Sequence, residues 1–282
     1  MDLLRSVDVG LFFKGLVGDE MVVSFLSSLN GIVLYQIDTW PLWFVATFCG
    51  LITLGLEILS HIVHLLFGFA EQIPVRGKHL DEFSSLDKTY ININKMLTII
   101  FVYHVLYVTY TTPTVKWQLS ELTLMNSVGS LAAFYLFYDF LYMSFHRFLH
   151  LRWLYGYIHK HHHRQKAPSR GNLDAINVHP FEFVVGEYLH LLAIYLIPCH
   201  IYAVAFFIIA GGIFASLNHT RHDINIPGLY EVKAHDVHHR IPESNYGQYI
   251  MFWDKIFDTY VPYNDKFGSS GNLAKKGNKK SD

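Results

Sequence analysis

The stretch Phe183–Leu217, FVVGEYLHLLAIYLIPCHIYAVAFFIIAGGIFASL, decides the fold of this chain. As one helix its 35 residues would extend roughly 52 Å, well beyond a hydrocarbon core of about 30 Å. Pro198, near the middle, breaks or kinks any such helix. The stretch therefore reads as a helical hairpin, turning near Pro198–His200, that returns the chain to the side it left. It is about 5 residues short of two full spans of roughly 20 each, so its arms are expected to be short, tilted or partly inserted. Gly211 and Gly212 would let the returning arm pack closely against a neighbour.

Three more apolar regions flank it: Pro41–Ala70, Met96–Tyr110 and Leu122–Phe145. The first and third are long enough to cross a bilayer, and the second is short with aromatic flanks. The 282 residues are 51% hydrophobic and only 16% charged, against about 25% charged in soluble domains. These features predict an all-α, multi-pass membrane bundle of about four spans, the hairpin included. A net charge of −1 gives no electrostatic footprint for nucleic acid. Cys49 and Cys199 both lie in apolar runs and form neither a disulfide framework nor a CxxC site.

Loop 146–170 carries Arg147, Arg152, Lys160, Arg164, Lys166 and Arg170 and no acid, so the positive-inside rule places it in the cytosol. The hairpin puts the basic tail on the same side, and Thr111–Thr114, TTPT, becomes a turn on the far side. The last four residues, KKSD, resemble a dilysine retrieval signal of endoplasmic reticulum membrane proteins.

Of 18 histidines, 14 fall between His146 and His239. HRFLH places His146 and His150 at i, i+4, on one helical face. HKHHH places His159, His162 and His163 on one face, with His161 pointing elsewhere. After the hairpin come His219 and His222 in NHTRH, then His235, His238 and His239 in HDVHH, which repeats the HxxHH spacing. Imidazole is the commonest neutral ligand for Zn, Fe, Cu and Ni, and one zinc takes only about three or four protein ligands. Nine or ten converging histidines suit two ions, and without cysteine ligands or HExxH neither a structural zinc site nor a zincin fits.

These motifs, with DFLYMSFHRFLH, NVHPFE and NYGQYIMFWDKIFDTY, resemble the fatty acid hydroxylase and sterol desaturase superfamily of membrane di-iron enzymes, over roughly Asp139–Tyr260. The resemblance implies that His146, His150, His159, His162, His163, His219, His235, His238 and His239 are metal ligands, with His222 a tenth. It implies two iron ions, replaced by zinc on overexpression, that activate O2 to hydroxylate or desaturate a lipid. The sterol-type motifs put a sterol-like substrate and hydroxylation first, with desaturation of a sterol or acyl chain as the alternative. No GxGxxG unit or flavin motif occurs, so electrons are expected from an external donor, cytochrome b5 or its reductase. Asp139, about two helical turns before His146, is a candidate to accept a histidine N–H; Asp223 and Asp236 are weaker ones. His179 reads as a residue of the substrate entrance, a hydrogen-bond partner of a ligand, or a helix-start histidine.

Glu57, His61 and His64 share a face of the first span and support a rival reading, a metal-ion transporter with a histidine-rich loop. The other reading has them satisfy one another near the interface or border a lipid pocket. The expected organisation is an N-terminal span region, 1–121, a catalytic domain, 122–262, with a cytosolic cap holding the di-metal site, and a basic tail, 263–282. The expected location is the endoplasmic reticulum membrane.

Overall fold

The computed structural model describes residues 41–264; the tail from 265 on, with its KKSD end, lies outside them, as does the chain before Pro41. Helices dominate. Helix α1 spans Leu42–Phe67 and α2 spans Ser85–Thr111. A π-helical turn, Met125–Gly129, leads into α3, Ser130–Leu149, followed by the short α4, Arg152–Tyr155, and α5, Asn172–Ala175. The hairpin arms are α6, Pro180–Leu196, and α7, Ile201–Asn218. Helices α8, Val232–Arg240, and α9, Phe252–Ile256, close the described chain.

Among the described residues, four helical segments are long and apolar enough to cross a membrane: Leu42–Phe67, Ser85–Thr111, Met125–Leu149 and Ile201–Asn218. Helix α6 has 17 residues, carries Glu182 and Glu187, and falls short of that length. Helix α2 begins 11 residues before the apolar run that marked it. Ser84 and Asp87 form a capping box that satisfies the exposed amides of its first turn, so polar residues extend the helix. Helix α1 leaves Leu42 84% and Leu65 80% exposed. Burial of apolar area is worth about 25 cal/mol per Å2, so this face fits hydrocarbon as its solvent.

The hairpin turns where Pro198 predicts. Its tip pairs in parallel with the α2–α3 connection, β1 (Val115–Lys116) against β2 (Cys199–His200), in the register Val115↔Cys199. Ser130 Oγ adds a 2.6 Å bond to the Pro198 carbonyl. The TTPT turn and the hairpin tip therefore share one end of the bundle. The histidine-bearing ends of α3 and α7 and the start of α6 lie at the other. Between them Phe134, Phe207, Leu191 and Ile194 form a fully buried core, with Phe134 stacked on Phe207 at 4.9 Å.

Candidate metal centre

Nine histidines converge at the open end of the hairpin. His146 lies on the last turn of α3, and His150 caps that helix. His219 caps α7, and His235, His238 and His239 lie on α8. His159, His162 and His163 are not on an α-helix. They occupy consecutive turns after α4, with His162 N–H donating to the His159 carbonyl at 3.1 Å, and this tight winding keeps the three on one face.

The rings form two adjoining groups. His146, His150, His159, His163 and His238 make one; His162, His219, His235 and His239 make the other. Within each, one nitrogen per residue lies within 4.8 Å of all the rest. The rings of His163 and His239 are 5.0 Å apart across the boundary.

Hydrogen bonds fix which nitrogen faces inward. His146 Nδ1–H donates to Tyr246 O at 2.8 Å, His238 Nδ1–H to Ser244 O at 2.6 Å and His159 Nδ1–H to Glu182 Oε1 at 2.7 Å. In the second group His219 Nδ1–H donates to Ala215 O at 2.8 Å and His239 Nδ1–H to Gln165 O at 2.9 Å. A backbone carbonyl only accepts, so the Nε2 atoms of His146, His219, His238 and His239 turn lone pairs to the centre, and His159 does the same wherever Glu182 is ionised. His146 Nε2 and His159 Nε2 then face each other at 2.9 Å with no hydrogen between them. That arrangement repels unless a cation lies between. Two nitrogens each about 2.1 Å from one ion and at right angles stand about 3.0 Å apart, and the Nε2 separations run from 2.9 to 3.2 Å. The buried Nε2 of His150 has no hydrogen-bond partner among the described residues. Outward-bonded, inward-accepting imidazoles are what a metal ligand set requires, and these residues fit one.

The electrostatics agree. Burial, with the neighbouring rings adding to it, holds His159, His163, His235, His238 and His239 well below the ordinary imidazole value of 6.5. His162 is lowered in the same way, and His150 is pushed down to about 2, by burial first and then by His146 and Lys166. All stay neutral near pH 7, the form that binds metal.

Glu182 is the carboxylate behind the site, and the sequence reading gave it no role. It sits in the first turn of α6, where the helix dipole favours a negative charge. An acid just after HP, opening an apolar helix, was the available signal. Asp139 does not touch a ligand. Its buried carboxylate accepts the backbone N–H groups of Gln248, Tyr249 and Ile250. Asp254 likewise accepts those of Tyr246 and Gly247, both at 2.8 Å. Together they pin the loop whose Ser244 and Tyr246 carbonyls orient His238 and His146. Gly247 is required there, because a Cβ would stand 2.8 Å from the Ile250 carbonyl.

Other expected residues are placed elsewhere. His222 stands outside both groups, between His64 Nδ1 at 3.1 Å and the Gln72 side chain at 2.9 Å. His161 turns away to Asn177 and Asp87. His179 caps the start of α6, accepting from Phe181 N–H. Asp236 pairs with Arg221 and Arg240, both at 2.6 Å, and Asp223 with Lys233. Glu57, His61 and His64 do not satisfy one another as expected. Glu57 binds Lys95 at 2.5 Å and His64 binds His222, because side chains leaving α1 meet partners on packed neighbours first.

A cavity of about 230 Å3 opens between α1, α2, α3, α6 and α7. Leu56, Phe101, Val102 and Ile208 give it apolar walls, and it ends on His162, His219 and His235. It thus reaches the second group and none of the first.

Residues 131–259 match the family model described as fatty acid hydroxylase. Cholesterol 25-hydroxylase-like protein 1, member 2, of Danio rerio is 30% identical over 151 residues, 50% of this chain and 54% of that one. Methylsterol monooxygenase 1 of Rattus norvegicus is 30% identical, covering 46% of each chain, and lathosterol oxidase of the same species is 32% identical over 47% of this chain and 45% of its own. The chain spans about half the length of the curated relatives it matches. No solved structure matches it.

Proposed function

With a fatty acid hydroxylase domain at residues 131–259 as the premise, we propose that this chain is a membrane-bound monooxygenase that hydroxylates a lipid C–H bond with O2, sterol-like substrates first. The observation that carries the reading is a pair of adjoining histidine groups, one of which ends an apolar cavity. His146, His150, His159, His163 and His238 would hold one iron, and His162, His219, His235 and His239 the other. Two irons, once bound and reduced, supply the O2 activation that side chains alone cannot provide. The protein's part is to keep the imidazoles neutral, fix the tautomers of His146, His159, His219, His238 and His239 through backbone carbonyls and Glu182, and hold the lipid in a water-poor cavity.

All nine histidines fall within the proposed catalytic domain, 122–262, with 1–121 supplying the first spans. The acid-free basic loop 146–170 supports a cytosolic face for the site, and the KKSD end supports the endoplasmic reticulum. Electrons then come from cytosol-facing cytochrome b5 or its reductase, whose acidic surface suits that loop. Desaturation of a sterol or acyl chain is the second reading, favoured by the similarity to lathosterol oxidase. The test is oxidation of a cellular lipid extract by purified, iron-loaded protein with reductant and 18O2. Incorporation of 18O into a lipid supports hydroxylation; a new double bond without 18O supports desaturation; no oxidised lipid refutes both.

A further inference from the structure

The cavity also has a polar patch at Glu187, His190 and Tyr249, away from the nine clustered histidines. Glu187, on α6, lines it with 32% of its side chain exposed. Its carboxylate stands 3.9 Å from His190 Nδ1, beyond hydrogen-bond reach, and among the described residues no group donates to it. His190 Nδ1–H is instead committed to the Glu187 backbone carbonyl at 3.1 Å, so its Nε2 accepts the Tyr249 hydroxyl at 2.9 Å. Tyr249 is left with lone pairs only. Gly211 makes this approach possible, since a Cβ there would lie 2.8 Å from Tyr249 Oη. Glu187, His190 and Tyr249 therefore present acceptors and no donor of their own, inside walls that are otherwise mostly apolar.

An unpaired carboxylate at this depth is costly unless a ligand completes it. A neutral hydroxyl is the donor that enters an apolar cavity at the lowest desolvation cost. We propose that Glu187, backed by the His190–Tyr249 pair, anchors a hydroxyl group on the lipid substrate. The distance sets a further constraint. Glu187 lies five residues beyond Glu182, roughly 7–8 Å along α6, and Gly211 lies eight residues before His219, roughly 12 Å along α7. The oxidised carbon is thus several bonds away from the anchored hydroxyl. The cavity is smaller than the range of about 300–1,000 Å3 typical of drug-sized ligands. The lipid accordingly inserts one part and leaves the remainder between the helices.

This inference rests on the oxygenase reading but has its own test. Binding of radiolabelled cholesterol and of 5-cholestene, which lacks the hydroxyl, is measured on the purified full chain in nanodiscs. A hydrogen bond to a charged group corresponds to a preference of roughly tenfold to a hundredfold for the alcohol. Glu187→Leu is expected to abolish that preference while keeping the wild-type metal content, and Glu187→Gln, whose amide oxygen still accepts, to keep part of it. If Glu187→Leu does not hold metal, Glu187→Gln carries the test and its preference must drop several-fold. An unchanged preference in the variants, or none in the wild type, overturns the anchor. A wild type that oxidises lipid but binds both sterols equally overturns the anchor alone; one that shows the preference but holds no metal overturns the oxygenase reading alone.

Discussion

The group formed by His146, His150, His159, His163 and His238 lies away from the cavity, whereas His162, His219 and His235 of its neighbour line the end of it. Both groups use the same side chain, and each draws on both HxxHH triplets, yet their surroundings differ. The first has five members, one backed by a carboxylate, Glu182, and two by the loop that Asp139 and Asp254 pin. The second has four, with His219 and His239 held by carbonyls of α7 and of the loop after His163. The contrast suggests a division of labour, with a closed site that fixes geometry beside an open one that meets the substrate.

The sharpest way to break this comparison is to remove one ring from each side. His238→Ala and His162→Ala should each abolish turnover, measured as oxidised lipid per protein, while the chain stays in the membrane fraction. Retained turnover in both would point back to metal transport. Glu182→Gln should act less severely. The amide oxygen can still accept from His159 Nδ1–H but without charge, and losing such a partner costs about 10–100-fold in metal affinity or activity. The effect should appear first as weaker metal retention by the five-histidine group; equal weakening of both groups would undo the distinction between them. Smallest of all should be His222→Ala. Its ring lies between His64 and Gln72, so the metal content should equal that of the wild type, and loss of an ion would restore it as a ligand.

Much of this arrangement is legible in the sequence because periodicity and length carry it. Pro198 within 35 apolar residues specifies the hairpin, and the hairpin brings the two HxxHH triplets together. Spacing misleads where the helix it presumes has ended. His222 follows His219 by three residues, but α7 stops at Asn218 and Gln72 bridges to His222 in an extended segment, so the two rings diverge. Asp139 does lie on the face of His146, yet the loop from Ser244 to Ile250 reaches its carboxylate first. Such loop contacts join residues far apart in sequence and leave no local pattern to read, whereas Glu182, which meets His159, is marked by its place just after HP at a helix start. HKHHH shows the opposite case. Its expected face is correct although the backbone winds as turns, because i, i+3 and i, i+4 neighbours share a side in either geometry.

The central claim is that nine histidines make two metal sites. Elemental analysis of active, purified protein tests it most directly, with iron and zinc counted per chain. Two ions per chain are expected in the wild type, and a loss from the open group in His219→Ala. One ion or none in active enzyme would contradict it.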